Sequence, residues 1–163
     1  MDEQLICNIG ANEQPKMTVD EDGNKSWHLH GKRHRDDGPA VEYANGNKAW
    51  YLHGKRHREG APAIDNISGD KEWNLHGELH REDGPAVDLA NGPKEWWLHG
   101  KLHREVAPAI EYADGGKEWY LNNEPYADVN AWARAVLKMR NELCDKEAVQ
   151  KYVRTILTKD DLI

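Results

Sequence analysis

The 163-residue chain contains no phenylalanine, only two serines and only two cysteines. So little serine excludes most serine-nucleophile chemistry. No P-loop, nucleophile elbow, HExxH or paired-carboxylate arrangement is present either. Cys7 and Cys144 belong to opposite ends of the chain and to no CxxC motif. They read as reduced thiols of a cytoplasmic protein, with a disulfide joining the termini as the alternative. No run of 18 apolar residues occurs, so no membrane-spanning helix is expected. The opening MDEQLICNIG lacks a basic segment followed by an apolar one, and predicts no signal peptide. Positive charge is in deficit, with a net charge of −7. That argues against a general binder of nucleic acid or anionic membrane, which needs clustered Lys and Arg. The hydrophobic fraction of 38% and mean hydropathy of −0.95 predict a thin, exposed array in place of one thick core.

Tryptophan is what the chain has in excess, and its placement is regular. Trp27, Trp50, Trp73, Trp96 and Trp119 lie 23 residues apart. Around them recur KSWHLHGKRHRDDGPAV, KAWYLHGKRHREGAPAI, KEWNLHGELHREDGPAV, KEWWLHGKLHREVAPAI and a shortened KEWYLNNEPYADV. A strict period of this length means one supersecondary unit, copied and stacked so that each copy covers its neighbour. In the second copy Asn45-Gly46 predicts a type I′ hairpin turn. Lys48–Leu52 then reads as a strand, with Trp50 and Leu52 on one face and Ala49 and Tyr51 on the other. His53–Arg58 reads as a polar connection or tight turn, and Pro62–Asp65 opens the return strand, where proline is tolerated at the first position. Turn dipeptides Asp22-Gly23, Asn45-Gly46, Ser68-Gly69, Asn91-Gly92 and Asp114-Gly115 keep the same beat.

The expected fold is mainly β: a single-layer antiparallel β-meander of 23-residue hairpin repeats, capped by a C-terminal α-helical pair. Residues 1–22 form N-terminal cap strands, Lys16–Asp20 aligning with later return strands and Leu5–Ile9 adding one more. Residues 23–123 form the repeat sheet and residues 124–163 the helical cap. Within the cap, Val129, Trp132, Val136, Met139 and Leu143 share one helical face over 128–143. Asp145 is an N-cap for a second helix with Val149, Tyr152, Val153, Ile156 and Leu157 on its apolar face. The pair caps the open sheet edge, or lies on the sheet and buries Trp97 or Tyr120, or forms a homodimer contact.

The phrase running from Trp27 to Gly46, Trp50 to Gly69, Trp73 to Gly92 and Trp96 to Gly115 resembles the MORN repeat. It is closest to that repeat's bacterial and bacteriophage variant. The shared features are the 23-residue period, the tryptophan, a glycine four residues later, a loop histidine and a closing turn glycine. The match spans about residues 23–123. It departs from the commoner pattern in carrying Arg35, Arg58, Arg81 and Arg104 where a glycine is usual. The resemblance implies a one-layer sheet used as a scaffold for protein contact, in some members for phospholipid contact, and it implies no catalysis.

Three sets of residues are candidates for function. The pairs His30/His34, His53/His57, His76/His80 and His99/His103 have a spacing that would serve zinc on a helix. A glycine after each first histidine breaks the helix, and the pairs read as a stacked, hydrogen-bonded ladder sensitive to pH near 6. Neither metal nor cofactor is expected. The arginines, with Asp36, Glu59, Glu82 and Glu105 next to them, read as salt bridges between adjacent copies. Their loops carry net charges of only +1, +2, −2 and +1, too broken a stripe for a phosphate edge. The third set is the slot directly after each repeat tryptophan: His28, Tyr51, Asn74, Trp97 and Tyr120. It varies where the rest is copied, and it faces away from the tryptophans and from Leu29, Leu52, Leu75, Leu98 and Leu121, which hold the array together. With Glu72, Glu95 and Glu118 it makes an aromatic, partly acidic face suited to protein contact. The expected function is therefore a non-enzymatic protein-binding module, in its narrowest form a phage-encoded inhibitor that sequesters a host defence factor. The contrasting expectation is a small-ligand or nucleotide binder, or a metal-dependent enzyme, built on the histidine and arginine loops.

Overall fold

The structure, a computed structural model, describes residues 13–142 and 144–160. The predicted strand at Leu5–Ile9, Cys7 and Leu143 lie outside the described residues, and Cys144 is an exposed free thiol. Eleven strands follow one another across an antiparallel meander. In spatial order they are Lys16–Val19, Lys25–Leu29, Val41–Glu42, Lys48–Ala49, Ile64–Asp65, Lys71–Glu72, Val87–Asp88, Lys94–Glu95, Ile110–Glu111, Lys117–Leu121 and Glu124–Tyr126. Lys16–Val19 pairs with Lys25–Leu29 and caps the N-terminal edge.

The repeat unit holds more than two strands. In copies two to four the strand is interrupted at the tryptophan, and the chain leaves the main sheet there to make a second, smaller hairpin. These hairpins pair Tyr51–Leu52 with Lys55–Arg56, Asn74–Leu75 with Glu78–Leu79, and Trp97–Leu98 with Lys101–Leu102. The tryptophan backbone serves both layers. Trp50 N–H donates to Ala63 O in the main sheet, and its carbonyl accepts from His57 N–H beyond the small hairpin.

Turn chemistry explains both halves, with one correction. Gly46 has φ of +93°, but Asn45 is not in the left-handed region. Gly46 N–H donates to Tyr43 O while Tyr43 N–H donates to Asn47 O, so the loop is a type I turn closed by a glycine bulge, not the expected type I′. The two-residue I′ turns occur instead at His53-Gly54 (φ 51° and 84°) and at its equivalents, with Asn122-Asn123 in the last copy. Of the two readings of His53–Arg58, polar connection or tight turn, the tight turn holds, as the end of a small hairpin. Histidine tolerates this conformation better than most residues. Here it is also held from outside, because His53 N–H donates to Nδ1 of His34 in the preceding copy.

Little volume separates the layers, so the positions nearest the axis are small. Ala40, Ala63, Ala86 and Ala109, each after a proline, are wholly buried and accept the tryptophan N–H bonds of their own copies. Among the described residues the one larger apolar core lies at the C-terminal end. Helix α1 (Val129–Met139) starts on Asp128, whose Oδ1 accepts from Asn130 and Ala131 N–H at 2.8 and 2.9 Å. It ends in a Schellman motif, with Asn141 left-handed and Glu142 N–H donating to Leu137 O. Helix α2 (Lys146–Asp160) starts on Asp145 as expected, Ala148 N–H donating to its Oδ1.

The buried face of α1 differs from the expected one. Trp132, Ala133, Val136 and Leu137 are buried while Met139 is exposed, because the helix turns its stripe toward α2 as it leaves the sheet. On α2, Val149 and Ile156 are buried and Leu157 is exposed. Helix α1 packs on Trp119, Leu121 and Tyr126, the tryptophan side of the last copy, and α2 packs on α1 to complete the core. Trp132 settles 4.5 Å from the Trp119 ring and donates through Nε1 to Arg104 O, and Tyr152 donates its hydroxyl to Glu105 O. Trp97 and Tyr120 lie on the other side and are not part of this core. No helix among the described residues is long and apolar enough to cross a membrane.

Candidate protein-binding face

The tryptophan side is saturated with contacts inside and between copies. Each repeat arginine lies over the tryptophan of its own copy: Arg35 on Trp27 at 4.0 Å, Arg58 on Trp50 at 3.8 Å, Arg81 on Trp73 at 4.0 Å and Arg104 on Trp96 at 3.7 Å. Each also donates Nη1 to the carbonyl of the following proline, as Arg58 does to Pro62 O. The ion pairs of Arg35, Arg81 and Arg104 are within copies, not between them. Arg35 Nε meets Asp37 and Arg81 Nε meets Asp83, both at 2.8 Å, while Arg35 and Arg104 reach Glu42 and Glu111. Asp37 and Asp83 come with Gly38 and Gly84, where a Cβ would stand 3.0 and 2.7 Å from the arginine Cζ. The aspartate draws the guanidinium across the glycine, so the two residues belong together.

The acidic residue next to each arginine faces the second histidine of the pair instead. His34 Nε2 is 3.2 Å from Asp36, and His103 Nε2 is 3.5 Å from Glu105. On their other nitrogen, His34, His57, His80 and His103 accept from the backbone N–H of His53, His76, His99 and Asn122 one copy on. The rings of His34, His57 and His80 lie 4.4 to 4.6 Å from the first histidine of the next copy. An accepting Nδ1 carries no proton, so the ladder requires neutral imidazoles with the hydrogen on Nε2. Burial first, then the nearby His76, push the His57 pKa below the usual histidine value, and Glu59 opposes them. Among the described residues no three His, Cys, Asp or Glu side chains converge as a metal site would require.

On the opposite side lie the slot residues with Glu72, Glu95 and Glu118. Strand register brings Glu72, Glu95 and Glu118 beside Ile64, Val87 and Ile110, so this face alternates carboxylates with branched aliphatics. Trp97 Nε1 donates to Glu95 at 2.8 Å. Tyr112 and Tyr120 donate their hydroxyls to the two oxygens of Glu118 at 2.8 and 2.9 Å. Those hydrogen bonds are the main reason both phenols titrate above the ordinary tyrosine value. Glu72 is bound differently, by Arg56 at 2.8 Å, and Arg33 lies over the Tyr51 ring at 5.4 Å.

The slot row is less exposed than its variability suggests. His28, Tyr51, Trp97 and Tyr120 are half-buried, and Asn74 is only 4% exposed, its Oδ1 without a hydrogen-bond partner. The small hairpin crosses the face at each copy and shields the row from one flank. Its cross-strand positions are part of the site and were missed in the sequence: Arg33 opposite His28, Arg56 opposite Tyr51, Leu79 opposite Asn74 and Leu102 opposite Trp97. The two-residue His-Gly turn was the signal that would have located them. Tyr43 and Tyr112, both more exposed than the slot residues, were missed as well. No protein-family model and no curated protein matches the chain.

Proposed function

We propose that this chain is a non-enzymatic, MORN-like repeat module that binds another protein through the slot face. The observation that carries the reading is the placement of the cap. Helices α1 and α2 spend their apolar surface on one core with Trp119, Leu121 and Tyr126. Among the described residues neither helix covers the aromatic row on the other side, which the small hairpins shield from one flank only. Aromatic side chains beside carboxylates bring large contact area and hydrogen-bonding ends at small entropic cost, the composition that protein interfaces favour. The histidines and arginines, the basis of the competing small-ligand or metal reading, are engaged in holding copy to copy. The narrower form, sequestration of a host factor by a phage protein, rests on the repeat resemblance alone.

The test is capture of partners from the natural host by the full chain and by a Tyr51→Ala/Trp97→Ala variant. Capture is expected to be lost in the variant while its circular dichroism spectrum stays that of the parent. Undiminished capture by a folded variant would remove the slot face from the function.

A further inference from the structure

Along the slot face the protein supplies its own cations at one end and withholds them at the other. In the second and third copies Arg56 Nη1 pairs with Glu72 Oε2 at 2.8 Å. One period on, the same two positions are Leu79 and Glu95; two periods on, they are Leu102 and Glu118. The carboxylate is kept and the arginine has become leucine. Glu95 and Glu118 are held instead by neutral aromatic donors, the Trp97 indole and the Tyr112 and Tyr120 hydroxyls. The row that begins with Arg33 over Tyr51 therefore ends with two indole or phenol rings and two carboxylates, flanked by leucines in place of arginines.

A second observation bears on what this region accepts. Asn74 stands between Tyr51 and Trp97 in the row, 96% buried, with its amide oxygen unpartnered. The unused capacity is an acceptor's, and it shares the face with Glu95 and Glu118, whose donors, the Trp97 indole and the Tyr112 and Tyr120 hydroxyls, are neutral. Carboxylates, ring faces and an amide oxygen together favour a guanidinium or ammonium group. Glu95 and Glu118 flank Ile110 in register on adjacent strands, so they stand about 10 Å apart, two strand spacings.

We propose that the C-terminal half of the slot face, from Asn74 to Tyr120, docks a basic segment of a protein partner. Two arginine or lysine side chains about 10 Å apart lie over Trp97 and Tyr120 and pair with Glu95 and Glu118, as Arg56 already pairs with Glu72. Seven residues of a helix, or three of an extended polyproline-type segment, provide about that separation. The inference rests on the slot face being the binding face.

Hexa-arginine is the probe, titrated into the full chain while the indole N–H signals are followed by NMR. Saturable movement of the Trp97 signal is expected, with affinity falling at higher salt. Glu95→Gln/Glu118→Gln should weaken binding at least tenfold. Leu79→Arg/Leu102→Arg, which restores the internal cations, should weaken it similarly. Glu59→Gln/Glu82→Gln removes the same charge from the other side and should leave the affinity unchanged, which separates a site from general attraction to an acidic chain. Melting curves of each variant report whether it is folded. The proposal is overturned if Trp97 does not respond, if the Glu95/Glu118 variant binds as well as the parent, or if both charge variants weaken binding equally. Sedimentation showing a dimer that Glu95→Gln/Glu118→Gln dissolves would assign the face to a second copy and overturn it too. If hexa-arginine fails while Tyr51→Ala/Trp97→Ala still abolishes host capture, the basic segment falls and the binding face stands.

Discussion

The two sides of this sheet obey different rules. On the tryptophan side the same contacts recur in copy after copy: Arg58 covers Trp50 and Ala63 accepts the Trp50 N–H bond within one copy, while the histidine ladder, His57 accepting from His76, ties each copy to the next. A change in one copy there must be matched in its neighbour, so the side is repeated almost without variation. On the slot side the contacts change from copy to copy: Arg33 lies over Tyr51 and Arg56 pairs with Glu72 across the first copies, while Trp97 meets Glu95 and Tyr120 meets Glu118 within the last ones. Repetition marks what assembles the array, and variation marks what the array is free to present.

The comparison breaks most visibly at the cap. Trp132 is fully buried and stands over Trp119 where the first four copies place an arginine, since Ala127 occupies that position in the fifth. Trp132→Ala should cost about 3–5 kcal/mol, the usual range for a buried aromatic truncated to alanine. Chemical denaturation should show the loss, together with early melting of both helices. In mid-array, Ala63→Leu inserts a branched side chain at a position with 0% exposure, and should cost about 1–3 kcal/mol by overpacking. A midpoint unchanged by Ala63→Leu would mean that the two layers can separate freely, against the saturated tryptophan side described above.

Much of this division could be read from the sequence, and the parts that could not have physical causes. The 23-residue period located the copies and their turns, and helical spacing with an N-cap at Asp145 located the second helix start, because Asp-Gly, Asn-Gly and an Asp N-cap act locally. The type of turn was misassigned, since Asn45-Gly46 suits either a two-residue loop or a three-residue loop with glycine last. The small hairpin was missed because His53 in a left-handed turn is stabilised by His34, a partner 19 residues away. The arginines and the acidic residue after each were expected to pair between adjacent copies, whereas the Arg35 guanidinium reaches Asp37 of its own copy across Gly38. The slot residues were found through their variability. Their half-burial was not, because the strand that shields them begins at the turn that was misread.

Acid should loosen the tryptophan side in particular. His57 has its pKa lowered in the folded protein, chiefly by burial, with His76 adding to the effect and Glu59 opposing it. A base with a depressed folded pKa binds fewer protons folded than unfolded. Its contribution is therefore complete above the unfolded value, about 6.5, and is lost as pH falls through that value toward the folded one. Protonation would also place a hydrogen on Nδ1, against the His76 N–H that it now accepts at 3.1 Å. Denaturation midpoints should fall between pH 7.5 and 5.5. His57→Asn keeps an acceptor near Nδ1 without a titrating group, and should show a shallower fall; a profile identical to the parent's would place the acid sensitivity elsewhere.

The smallest effect is expected on the slot side. Tyr120→Phe removes one hydroxyl that donates to Glu118, which keeps its bond from Tyr112 and stays open to water. A half-exposed hydrogen bond of this kind contributes about 0.5–1 kcal/mol or less, because water replaces the lost donor. The aromatic ring and its contacts remain. Stability should thus change by less than for either tryptophan-side variant, while Tyr112, left alone on the carboxylate, keeps a phenol pKa above the ordinary value that ultraviolet titration can follow. A loss as large as that of Ala63→Leu would mean that Tyr120 holds the last copy in place. The slot row would then belong to the assembly of the array, and its variation from copy to copy would no longer mark it as a surface for something else.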